Sequence, residues 1–126
     1  MIHIRLAAAV CLCTTLLACS THQAYEGSAR PAAEVALIKG DPKFRLAPVA
    51  TYLRSVDGVA LADTQASVEV LPGEHELVAD CVVSTSGDRH RVHLQVVVKA
   101  GESYRLEAQM GSANQACVGV VMVSDH

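Results

Sequence analysis

Between Arg89 and Lys99 the chain alternates without a break. Val92, Leu94, Val96 and Val98 fall on one side, and Arg91, His93, Gln95, Val97 and Lys99 on the other. A period of two residues belongs to a half-buried β-strand; a helix would scatter these residues around its axis. The pattern recurs on both flanks. In 103–110, Tyr104, Leu106, Ala108 and Met110 oppose Arg105, Glu107 and Gln109. In 74–84, His75, Leu77, Ala79, Cys81 and Val83 share one face, while Glu74, Glu76, Val78, Asp80 and Val82 share the other. The second set carries the acids, so Cys81 is expected to point inward.

Shorter strands are expected at 34–39, 50–56, 59–61 and 66–71, with a last one at 117–123. In 50–56, Tyr52, Arg54 and Val56 would share a face. The run 117–123 is apolar on both sides, as in a central or covered strand. Turn residues punctuate the whole. Asp57-Gly58 fits a tight hairpin turn, because Gly accepts positive φ. Pro72-Gly73 fits a type II turn, with Pro first and Gly second of the central pair, from which the chain is expected to return through 74–84. No amphipathic helix competes with these strands. The expectation is an all-β domain at 34–126, a small antiparallel β-sandwich or partly open barrel.

The first 33 residues read differently. A basic head ending at Arg5, an apolar core from Leu6 to Leu17 and a small residue, Ala18, before Cys19 form an export signal of the lipoprotein type. The apolar core is about a dozen residues, against the roughly 20 that span a bilayer as a helix. Residues 1–18 are therefore read as a signal helix cleaved after Ala18, with lipid attached at Cys19. Stable anchoring takes two acyl chains or more, at about 0.8 kcal/mol per buried methylene. Ser20 stands where an Asp would retain such a protein in the inner membrane, so the expected site is the outer membrane, with the domain facing the periplasm. Residues 19–33 are small and polar, and read as a flexible tether. Extended, it would reach roughly a few tens of ångströms.

Of the five cysteines, Cys11 and Cys13 leave with the signal and Cys19 takes lipid. The remaining pair, Cys81 and Cys117, reads as a disulfide in an oxidising compartment. It would be worth roughly 4 kcal/mol in the chain-entropy account. A metal site or a catalytic thiol is the alternative, but neither cysteine belongs to a C-x-x-C pair or has an evident base beside it.

Charge narrows the partners. Without Arg5 the ten basic residues become nine against thirteen acids, a net charge of −4 with neutral histidines. No basic run or patch is legible, which argues against nucleic acid. With no Trp and only Phe44, Tyr25, Tyr52 and Tyr104 as aromatics, a stacking platform for bases is not expected.

No catalytic residue and no metal or cofactor site is expected. His3 leaves with the signal, His22 lies in the tether and His126 ends the chain. His90 and His93 are three apart on a strand and face opposite sides. His75 reads as a turn residue whose ring bonds backbone across the Pro72-Gly73 turn. Glu69, Glu74 and Glu76 could be imagined as a glycosidase carboxylate pair, but read more simply as solvated strand faces. No G-x-S-x-G elbow is present.

Two turn motifs carry a resemblance. Val56-Asp57-Gly58, followed by Leu71-Pro72-Gly73-Glu74-His75-Glu76-Leu77, resembles the PEGA-like modules of bacterial envelope proteins, which are small immunoglobulin-like β-domains. The wider layout is similar to short proteobacterial lipoproteins of unknown function. It includes Arg30-Pro31-Ala32-Ala33-Glu34-Val35-Ala36-Leu37-Ile38 and Gly101-Glu102-Ser103-Tyr104-Arg105-Leu106-Glu107-Ala108. The resemblance implies a fold and structural turns at Asp57, Gly58, Pro72, Gly73 and His75, and brings no catalytic residue. The expected function is a lipid-anchored, non-enzymatic envelope protein whose β-domain serves as a structural or protein-interaction module, with an envelope protein as the expected partner. The alternative is a periplasmic inhibitor of a hydrolase such as lysozyme, acting through loops 40–48 or 84–90.

Overall fold

The computed structural model describes residues 21–42, 48–62, 66–112 and 116–125. The signal segment, Ala18, Cys19, Phe44 and His126 lie outside the described residues.

Among the described residues nine strands form two packed sheets: β1 Thr21–Gln23, β2 Ala36–Lys39, β3 Val49–Val56, β4 Val59–Ala60, β5 Ser67–Val70, β6 Gly73–Val83, β7 Arg89–Val98, β8 Ser103–Met110 and β9 Cys117–Ser124. Sheet A runs in the order β1-β5-β2-β8-β9 and sheet B in the order β4-β3-β6-β7. The two do not close into a barrel; the domain is a small β-sandwich. Pairing is not wholly antiparallel, because β1 lies parallel to β5 and β2 parallel to β8. A parallel neighbour cannot come from a tight hairpin, so sheet A gathers strands from distant parts of the chain.

The alternating residues supply the core. Ile38, Val68, Val70, Leu77, Val83, Val98 and Leu106 are fully buried between the sheets. Each is worth about 1.5–3 kcal/mol of burial. Thr51 is the polar member among them. Its hydroxyl donates to the Leu106 carbonyl at 2.9 Å and accepts from the Asp41 amide at 2.8 Å. It thereby ties β3 of sheet B to β8 of sheet A. Gly40 makes the crossing from β2 possible. A Cβ there would stand 2.7 Å from the Thr51 carbonyl oxygen, which no side chain tolerates.

Four expectations need correction. Residues 21–33 are not a free tether. Thr21–Gln23 pairs with Ser67–Glu69, the Ala24 amide donates to the Glu69 carbonyl at 2.8 Å, and Ala24 packs against the core. The Gln23 side chain donates to the Tyr25 and Gly27 carbonyls at 3.0 and 2.8 Å. An exposed sheet edge offers backbone hydrogen bonds to any sequence, so polar composition did not reveal this strand. Residues 32–34 form a single 3-10 turn leading into β2.

Secondly, β9 is an edge strand of sheet A, and Val118 on it is 64% exposed. Its two apolar faces do not make it central. Thirdly, β3 carries a bulge between Leu53 and Ser55. Leu53 and Val56, three apart, are both buried because of it, while Arg54 stays outside. A bulge adds one residue and shifts the alternation, so Val56 leaves the face of Tyr52. Fourthly, Pro72-Gly73 does not fold β6 back on β5. β6 pairs with β3 and β7, and the turn carries the chain from sheet A to sheet B.

Candidate functional site

The outward face of sheet B holds a charge cluster that the linear sequence conceals. Across three strands Tyr52, Asp80 and Arg91 lie in one row. Arg89 stands two residues before Arg91 on the same face of β7, and the β3 bulge presents Arg54 from the other side. Asp80 is completely buried beneath them. A buried carboxylate needs a compensating charge and hydrogen bonds, and Asp80 has both. Arg91 Nε donates to Oδ1 at 2.9 Å and Arg91 Nη2 to Oδ2 at 3.1 Å. Arg89 Nη1 and Arg54 Nε each donate to Oδ2 at 3.0 Å. The Arg54 guanidinium also lies 5.1 Å from the centre of the Tyr52 ring, within cation–π range.

The bidentate hydrogen bond from Arg91 chiefly lowers the Asp80 carboxyl; burial opposes it, and Arg54 and Arg89 assist, bringing it to about 2. The fork geometry also fixes the arginines. Their side chains are 54% exposed at Arg89 and 59% at Arg91. Of five N–H groups each, Arg91 engages two with Asp80 and Arg89 one. Chemically this is a rigid, solvent-facing array of donors suited to carboxylate or phosphate oxygens. His93 lies on the same face, 3.7 Å from Glu76.

β7 is also the last strand of sheet B, with β6 as its hydrogen-bonded neighbour among the described residues. Its ten residues make it the longest strand at any sheet edge; β1 has three, β4 two and β9 eight.

At the opposite end of the sandwich the turn residues meet. Asp57 and Gly58 have φ of 49° and 81°, as a type I′ hairpin turn requires. The His75 ring lies between two acceptors: Nδ1 is 2.6 Å from Asp57 Oδ2, and Nε2 is 2.6 Å from the Leu71 carbonyl. The Glu76 amide donates to Asp57 Oδ1 at 2.9 Å. Burial pushes the Asp57 carboxyl up, but the His75 and Glu76 hydrogen bonds outweigh it and hold the group below its ordinary value. The VDG and PGxH turns are thus one clamp. Gly73 starts β6 with positive φ, and Pro72 leads into it. Beside the clamp a cleft of about 270 Å³ opens between the β1 and β4 edges, lined by His22, Tyr25, Val56, Asp57, Val59 and Leu61.

Cys81 on β6 and Cys117 on β9 are joined by a disulfide with Cα atoms 6.3 Å apart, which links the two sheets. His90 and His93 fall on rows with Cys81 and Val78 respectively, on opposite faces. Glu69 lies in sheet A, whereas Glu74 and Glu76 lie in sheet B. Among the described residues no group of three His, Cys, Asp or Glu side chains could hold a metal ion. The 84–88 loop is tied to the residue before β3, the Ser84 amide donating to the Pro48 carbonyl at 2.8 Å.

Sequence reasoning missed the arginine cluster. Arg89 and Arg91 were legible as neighbours two apart on one strand face. Arg54 and Asp80 join them only through strand pairing. Comparison with family models, curated proteins and solved structures found no match.

Proposed function

We propose that the chain is a lipid-anchored, non-enzymatic protein of the bacterial envelope whose β-sandwich binds a protein partner along β7 and the outer face of sheet B. The observation that supports this best is a ten-residue edge strand flanked by exposed, rigidly held guanidiniums. An edge strand presents unpaired backbone groups, and strand addition is a general mode of peptide capture. Arginine is enriched at protein interfaces for its fork of donors. The lipid at Cys19 supplies the location. With β1 starting at Thr21, only Ser20 separates lipid from sheet, so the domain rests at the headgroups of the outer membrane instead of at the end of a tether.

The test is a photocrosslinking amino acid placed at Gln95 or Val97 in the full chain, expressed in a bacterial envelope. A discrete protein adduct is expected from these two positions and not from Glu107 on sheet A. Identical adducts from all three positions, or none from β7, would refute the reading. Mass spectrometry of the mature chain checks the anchor: an unmodified Cys19 would remove it.

A further inference from the structure

We propose that β7 receives an extended segment of its partner bearing carboxylates at alternate positions, which land on Arg89 and Arg91. This rests on the reading of β7 as the partner-binding edge and names the chemistry of what it binds.

A strand added to β7 lies about 4.8 Å away and repeats its side-chain direction every second residue. Arg89 and Arg91 have that same spacing and the same outward direction, with His93 next in the series. A partner with acids at i and i+2 therefore meets both guanidiniums in register. One with adjacent acids sends every other carboxylate to the wrong face. Directly opposed residues of opposite charge stabilise a strand pair.

The local charge favours such a partner. Arg89 and Arg91 bring two positive charges to the one carboxylate that both contact, Asp80, while Glu74 and Glu76 on the same face lie farther along, in the rows of Val97 and Gln95. Both also keep N–H groups beyond those bonded to Asp80, and Asp80 holds both side chains in place, so little side-chain freedom is lost on binding. Glutamate suits the site better than aspartate. The guanidiniums lean over Asp80 on β6, and an incoming carboxylate must reach across β7 to touch them. A second copy of β7 is a poorer occupant, because pairing about Arg91 would set like charges against each other. Edge arginines also serve merely to discourage aggregation. That simpler role predicts no affinity for any added strand.

The experiment uses the full chain purified in detergent and three synthetic peptides, with binding read by fluorescence anisotropy. One peptide alternates Glu with Thr. The second, the block isomer, has the same composition in repeated Glu-Glu-Thr-Thr blocks, so that no two acids lie at i and i+2. The third is the alternating peptide with every second backbone amide N-methylated. The alternating peptide is expected to bind about tenfold more tightly than the block isomer, and N-methylation is expected to abolish binding. Arg89→Gln should weaken binding by about tenfold, while Arg105→Gln on sheet A leaves it unchanged. Because Arg89→Gln keeps the bidentate Arg91–Asp80 pair, its effect can be read in a folded protein; the peptide comparison needs no variant at all.

Equal binding of the two isomers would overturn the register, and undiminished binding of the N-methylated peptide would overturn strand addition. Displacement of the alternating peptide by inorganic phosphate or by anionic phospholipid vesicles, with no preference between isomers, would assign the arginines to a phosphate ligand instead. If crosslinking at β7 captures a partner whose contact segment lacks alternating acids, this proposal fails and the interaction module stands. If neither peptide nor crosslink is seen, both fail.

Discussion

The two outer faces of the sandwich treat charge in opposite ways. On sheet A, Lys39 and Arg105 both meet Asp125, and Arg105 also meets Glu107. Two cations face two carboxylates, all partly in solvent. On sheet B three arginines converge on Asp80, which is wholly buried. The first cluster is loosely held, and such exposed pairs contribute little. The second is tightly held, because burial removes water as a competitor for the carboxylate. What separates them is depth rather than residue type. A carboxylate buried beneath its partners organises arginines, while one left in solvent only neutralises them.

The largest test of this contrast removes the bond that holds the faces in one body. Replacing both Cys81 and Cys117 by Ala should cost about 4 kcal/mol in urea-induced unfolding. If the loss is well under 1 kcal/mol, the linkage between the sheets is incidental to stability.

Asp80→Ala comes next. It leaves the arginines crowded around no counter-charge, with an expected loss of about 3 kcal/mol and weakened partner binding. The same group sets an acid dependence. The Asp80 carboxyl is held at about 2 in the fold, below its ordinary 3.8. Its contribution is therefore complete above pH 3.8 and is lost as pH falls through about 2. That contribution is on the order of 2 kcal/mol. A wild-type stability curve measured between these pH values should be steeper than that of Asp80→Asn, and parallel curves would contradict the assignment.

The smallest effect is expected on sheet A. Lys39→Ala removes one partner of an exposed pair and should change stability by at most about 0.5 kcal/mol, fading further in salt. A loss as large as that of Asp80→Ala would abolish the distinction between the faces.

Most strands were readable because alternation is a local signal. β6, β7 and β8 each carry it over eight residues or more, and their inward faces follow from which side holds the acids. β1 was not readable. Thr21, His22 and Gln23 contribute backbone to an edge, and backbone pairing leaves no mark on composition. The edge position of β9 was obscured for a related reason, since apolar faces indicate contact without telling which strand supplies it. At the candidate site, Arg89 and Arg91 were visible as a same-face pair, whereas the place of Arg54 depended on a bulge that no residue type announces.

By itself the sequence determined the all-β class, the faces of β6, β7 and β8, the Asp57-Gly58 turn and the inward aim of Cys81, because each depends on neighbours within a few positions, and the cysteine count paired Cys81 with Cys117. Tertiary structure alone decided that the Cys81–Cys117 bond joins one sheet to the other, that His75 closes on Asp57, and that three arginines from two strands share one buried carboxylate. Those meetings depend on which strands pair and in what register. Register is set by the packing of the whole core, which no local stretch of the chain contains.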